Sequence, residues 1–96
     1  MAKNKKKQTA ASIAQREFGW LQAATQDTAI SIGEDPDALW NDSDFLLDML
    51  GDRMYGIVPP EFRLAVMQKL EELMTHPAGK KAVQKLIADE TQPPPI

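Results

Sequence analysis

The sequence predicts an all-α fold, and two observations support that prediction. Apolar residues recur at three- and four-residue steps in several stretches, which is the spacing of one helix face. Proline and glycine separate these stretches at positions typical of helix boundaries. Cysteine is absent, so packing rather than disulfides must hold the chain together. We therefore expect a small bundle of three to four helices built on a central antiparallel helical hairpin.

The central hairpin is expected between residues 41 and 73. Asn41 or Ser43 can cap its first helix, because a short side-chain oxygen accepts a hydrogen bond from a free backbone N–H of the first turn. Gly56 can take a positive φ after the last turn, so this helix should end near Tyr55. The residues expected to share its buried face are Phe45, Leu46, Met49, Leu50 and Met54.

The second helix of the hairpin should begin at Pro60, since proline suits the first helical position. Its apolar stripe comprises Phe62, Val66, Leu70 and Leu73. Because the link between the two helices is short, they should pack antiparallel and face each other.

An N-terminal helix should begin at Thr9 or Ser12 and fray between residues 27 and 33, where glycine and β-branched residues lower helix propensity. Phe18 and Trp20 lie on nearly opposite sides of this helix, so one of the two rings should escape the core. That ring either covers a neighbouring loop or contacts a partner, because aromatic residues are enriched in interfaces. The candidate aromatic contact residues are Phe18, Trp20 and Trp40.

Two shorter elements complete the prediction. The Asp35-Pro36-Asp37 sequence is typical of the start of a single helical turn, which should end near Trp40. A final amphipathic helix should follow the break at His76-Pro77. The expected organisation is a flexible basic arm (residues 1–8), one helical domain (9–90) and a proline-rich tail (91–96).

Charge is strongly segregated along the chain. Residues 1–16 contain four lysines and one arginine but no acid, whereas residues 17–52 contain nine acids and no base. The remaining residues are nearly balanced, and the net charge is -3. Such asymmetry concerns partners and association rather than fold.

This segregation supplies the candidate charged contacts. Three aspartates recur every four residues and should share the outer face of the hairpin's first helix. The candidate acidic partner-binding residues are Asp37, Asp42, Asp44, Asp48 and Asp52. The candidate basic contacts are the arm lysines Lys3, Lys5, Lys6 and Lys7.

Catalytic and metal-binding patterns are weak. His76 is the only histidine and adjoins a proline in a corner between helices, and thiolate chemistry has no cysteine to use. The acidic cluster from residue 34 to residue 44 departs from the EF-hand pattern, because Leu39 and Trp40 stand where an oxygen ligand and a glycine belong. We expect neither an enzyme nor a bound metal or cofactor.

Three functional hypotheses remain, for a chain expected in the cytoplasm or in a particle assembled there, without membrane contact. The first is a small protein-binding or assembly protein of the kind found among phage and bacterial accessory proteins. Its partner would be another protein, and the modest core favours a homo-oligomer or a larger assembly. The second is an acidic inhibitor that occupies a nucleic-acid-binding surface of its partner. The third is weak, non-specific nucleic-acid binding through the lysine arm.

Overall fold

A computed structural model of the chain describes residues 8–92, which form five helices and no strand. The helices are α1 (Ala10–Ile32), α2 (Pro36–Trp40), α3 (Ser43–Gly56), α4 (Pro60–Leu73) and α5 (Pro77–Thr91). The all-α prediction is confirmed. The number of helices exceeds the predicted three to four, because the single turn after Asp35 is a helix in its own right. Most of the predicted arm and tail lies outside the described residues.

Side-chain caps explain where the first three helices begin. Thr9 and Ser12 form a reciprocal capping box at α1, with each backbone N–H 3.1 Å from the other residue's hydroxyl oxygen. Asp35 caps α2 by accepting a hydrogen bond from the Asp37 N–H at 3.0 Å. The cap of α3 is Asp42 rather than the predicted Asn41 or Ser43. Asp42 has an extended backbone there, which directs its carboxylate toward the Phe45 N–H at 3.1 Å.

The ends of α1 and α3 differ from the predictions, and each involves a glycine. The predicted fraying of α1 after residue 27 is wrong, because the helix continues to Ile32 and ends at Gly33 with a φ of 75°. This left-handed residue lets the Glu34 N–H reach the Ala29 carbonyl at 2.9 Å. The predicted positive φ at Gly56 is also wrong: Gly33 is the only residue in the described part with that conformation, and Gly56 is the last residue of α3.

The helices pack around α4 and α5. α4 lies chiefly against α1 and α5, and α3 lies chiefly against α5, whereas α3 and α4 meet at fewer positions. The antiparallel hairpin is therefore not confirmed as the unit on which the bundle is built and stays a prediction. From α4, the buried side chains are Val66, Met67 and Leu70, so the core includes Met67, which is not part of the predicted apolar stripe.

The buried face of α1 repeats every four residues. Ile13, Glu17, Leu21, Thr25 and Ala29 are all buried, although two of them are polar. Glu17 takes a position on this stripe that an apolar residue usually fills. The core of the bundle therefore contains a carboxylate.

The first turn of α5 packs so closely on Met74 that position 79 has room only for glycine. A Cβ atom on Gly79 would lie 2.7 Å from the sulfur of Met74, a distance shorter than van der Waals contact. Glycine thus lets the buried Met74 side chain fill the corner between α4 and α5.

Candidate functional site

The outer face of α3 carries three exposed aspartates. Asp44, Asp48 and Asp52 are spaced by four residues, or about 6 Å along the helix axis. The opposite face of α3 is buried through Leu46, Leu50 and Met54. The helix therefore anchors itself in the core on one side and presents a row of carboxylates to solvent on the other.

A groove of about 490 Å³ lies beside this row, between α3 and α5. Three carboxylates border it, and leucine side chains and two glycines contribute its apolar surface. Its lining residues are Leu47, Asp48, Gly51, Asp52, Tyr55, Gly56, Leu86 and Asp89. Leucine side chains beside three carboxylates suit an amphipathic, positively charged segment.

Four of the basic side chains in the described residues form ion pairs with acids outside the α3 row. Ion pairs link Arg16 and Arg53 to Glu17, Arg63 to Glu90, and Lys69 to Glu72. Every acidic partner in this part of the chain is a glutamate, so none of the three α3 aspartates has a cation within 4.0 Å. Lys81 and Lys85 share a depression with Asp44 but form no ion pair with it. The α3 row thus keeps its negative charge uncompensated by close contacts.

Tyr55, which lines the groove, packs against an arginine of α4. The Arg63 guanidinium lies 4.6 Å from the centre of the Tyr55 ring, and its Nε donates to the Met54 carbonyl at 3.0 Å. Arg63 also lies 3.6 Å from Glu90 of α5. Partial burial, and then the nearby Glu90 carboxylate, raise the pKa of the Tyr55 phenol above its usual 10.0.

The five predicted acidic residues have different structural roles. Asp44, Asp48 and Asp52 come together on α3, as their spacing predicts. Asp42 is exposed but its side chain caps that helix, and Asp37 lies in the first turn of α2. Asp44 likewise lies in the first turn of α3, so Asp48 and Asp52 are the members of the predicted set with no local structural role.

The aromatic candidates divide into two contacts. Phe18 and Trp40 lie together, with ring centres 6.4 Å apart, and Trp40 stacks on His76 at 5.1 Å with an angle of 17° between the planes. Trp20 instead packs under the Arg53 guanidinium, 4.4 Å from its ring centre. All three candidate rings are half-buried, so neither Phe18 nor Trp20 escapes the core entirely. His76, in the corner between α4 and α5, is also half-buried.

The sequence analysis missed the ion cluster of Glu17. This carboxylate is completely buried and accepts two hydrogen bonds from Arg53, at 2.6 and 3.1 Å. Arg16 donates to it at 3.2 Å. A signal was present, because Glu17 lies four residues from both Ile13 and Leu21 on the buried stripe. Its main partner, however, is 36 residues away in the sequence.

Other site types find no support in the described part of the chain. The arm lysines Lys3, Lys5, Lys6 and Lys7 lie outside it. Between residues 8 and 92, no three histidine, aspartate or glutamate side chains are placed to hold a metal ion together. No helix in that range combines the length and apolarity needed to cross a membrane.

Comparisons of the chain with known protein families, curated proteins and solved structures find no match.

Proposed function

We propose that this protein is a small, non-enzymatic binding or assembly protein that contacts a basic segment of another protein through the acidic face of α3. The observation that supports this proposal most is the pairing pattern of the charges. Every ion pair among the described residues uses a glutamate, while Asp44, Asp48 and Asp52 stay exposed and unpaired. Exposed charges add little to stability, but they steer and select partners.

The groove beside the α3 aspartates adds apolar contacts to this charged face. Leu47 and Leu86 provide apolar contact beside Asp48 and Asp89, so a bound segment can bury side chains while its lysines or arginines meet carboxylates. Burial supplies affinity, and complementary charge supplies orientation and a fast encounter. The predicted α3–α4 hairpin is, in this proposal, the rigid carrier of the surface.

The chain termini enter the proposal as secondary contacts. The four arm lysines and the proline-rich tail can touch neighbouring subunits of an assembly, while the folded part supplies the main surface. Beyond residue 7, seven lysines and arginines stand against fourteen acids, so this part is net acidic and is repelled by a nucleic-acid duplex. Nucleic-acid binding through the arm alone therefore ranks third.

The second candidate is an inhibitor that occupies a nucleic-acid-binding surface with the same acidic face. The regular spacing of the α3 row favours it. The row presents one charge every 6 Å or so, sparser than the single charge per about 3.4 Å of each strand in a duplex. An ordinary basic protein segment matches this density at least as well, and we therefore rank inhibition second.

The experiment is capture of partner protein from the native host by immobilised chains, quantified by mass spectrometry. The test variant carries Asp44→Asn, Asp48→Asn and Asp52→Asn. The matched control removes the same charge at three exposed acids elsewhere, through Asp27→Asn, Glu34→Gln and Glu61→Gln.

We expect the test variant to lose the partner that the wild type and the control retain. Equal capture by all three chains would contradict the proposal. A labelled duplex provides the second arm, and retention that falls steeply with salt and ignores the aspartate changes would instead favour the basic arm.

A further inference from the structure

A second surface is a cleft of about 260 Å³ that is lined by α1, the end of α2 and the residues just before α5. One wall is a single stripe of α1, formed by Phe18, Gln22 and Gln26 at four-residue spacing. The other wall holds Trp40, stacked on His76. The cleft therefore combines aromatic faces with two exposed amide side chains that can donate hydrogen bonds.

Aromatic residues beside hydrogen-bond donors suit a proline-rich ligand. Proline-rich segments bind grooves lined by aromatic residues, because proline rings pack flat on aromatic faces and the preformed extended helix loses little entropy on binding. Proline lacks an N–H, but its carbonyl remains a strong acceptor for a side-chain donor. Three consecutive prolines span about 9 Å. That length is comparable to the cleft's row of side chains from Phe18 to Gln26, which extends about 12 Å along α1.

The chain itself contains such a segment, because three consecutive prolines, Pro93, Pro94 and Pro95, follow Gln92. The 15 residues of α5 place Gln92 about 22 Å from His76 along the helix axis. Four extended residues span at most about 14 Å, so residues 93–96 are too few to reach the Trp40 and His76 wall of their own molecule.

We propose that this cleft binds the Pro-Pro-Pro-Ile end of a second copy of the chain. The prolines pack on Trp40 and Phe18, and the amides of Gln22 and Gln26 donate to the tail carbonyls. A single contact of this size is weak, but a reciprocal exchange of two tails makes the second contact intramolecular and strengthens the pair. The proposal is independent of the acidic face, which lies on α3.

Sedimentation of the full chain tests the proposal in solution. We expect the wild-type mass to rise with protein concentration, and the variant Pro93→Gly, Pro94→Gly, Pro95→Gly to remain monomeric at the same concentrations. The double variant Gln22→Ala, Gln26→Ala should also remain monomeric. Its matched control, Gln15→Ala with Gln68→Ala, removes two exposed amides outside the cleft and should associate as the wild type does.

A peptide titration locates the contact. In the full-length glycine-tail variant with Trp20→Phe, Trp40 is the only tryptophan, and the peptide Thr-Gln-Pro-Pro-Pro-Ile should shift its emission. The Gln22→Ala, Gln26→Ala change should weaken peptide binding roughly tenfold, since two hydrogen bonds are lost. A monomeric wild type at the highest attainable concentration, undiminished association of the glycine-tail variant, or equal peptide affinity in the glutamine variant would each overturn the proposal.

Discussion

Two groups of carboxylates in this molecule carry the same charge and occupy opposite environments. Glu17 is fully buried on α1 and is held by Arg53 and Arg16. The α3 aspartates Asp48 and Asp52 are exposed and have no paired cation among the described residues. The comparison teaches that charge is used for two purposes here. Inside the bundle, the ion pair of Glu17 and Arg53 joins α1 to α3. On the surface, the α3 aspartates are exposed, where a partner can contact them.

The environments predict different energetic consequences. A buried charge that loses its partner keeps the full cost of desolvation, so one deletion in the cluster is expensive. An exposed charge remains hydrated whether or not a partner is present, so its removal barely affects folding. Substitutions in the two groups should therefore separate stability from binding.

The largest expected effect is that of Glu17→Gln. The change leaves Arg53 facing a neutral amide and should lower the free energy of unfolding by about 3 kcal/mol. This value is the lower end of the usual cost of breaking a buried ion pair, because the Arg53 side chain is still 24% exposed to solvent. Urea unfolding followed by circular dichroism measures it. Glu72→Gln, in an exposed pair with Lys69, is the control and should change stability by less than about 0.5 kcal/mol. Equal effects of the two changes would remove the distinction between the buried and exposed groups.

A smaller effect of opposite sign is expected for Asp48→Asn. Asp48 stands four residues from both Asp44 and Asp52, and like charges at this spacing destabilise a helix. Removing the central charge relieves both repulsions and should stabilise the protein by about 0.5 kcal/mol. The gain should shrink at high salt, since salt screens exposed charges. Urea unfolding at two salt concentrations checks this, and a destabilisation would show that Asp48 takes part in the fold.

The smallest effect concerns Tyr55, at the edge of the groove. Its pKa in the folded protein is raised above 10.0 by partial burial and by Glu90. The folded state therefore holds the phenolic proton more tightly than the unfolded state, and stability should fall as the pH rises through and beyond 10.0. Unfolding curves of the wild type and Tyr55→Phe across this range isolate the contribution, because other groups titrate in both chains. A wild-type curve that falls no faster than that of the variant would contradict the assignment.

Local signals explain how much of the fold the sequence could predict. Pro60 at the first position of α4, the cap at Asp35 and the aspartate row on α3 each depend on residues within one or two turns. The end of α1 was missed because Thr25 and Ala29 extend its buried stripe, and that burial outweighs the weak helix propensity of the neighbouring residues.

Contacts between distant residues explain what the sequence could not predict. Glu17 looks like a surface residue until Arg53 is placed beside it by the packing of α1 and α3. Trp40 and His76 are similarly brought together only by the bundle, and their stacking follows from no local pattern. The groove is lined by Asp89 of α5 as well as by residues of α3. Sequence periodicity alone does not predict that these residues lie side by side.

Zero-length crosslinking of the captured complex tests the central claim most directly. A carbodiimide joins a carboxylate to a lysine in direct contact, and mass spectrometry then identifies both residues. We predict crosslinks from Asp44, Asp48 or Asp52 to lysines of the partner, and none from Glu17, which is fully buried and held by arginines. Partner crosslinks confined to Asp27, Glu34 or Glu61, with none on α3, would contradict the account.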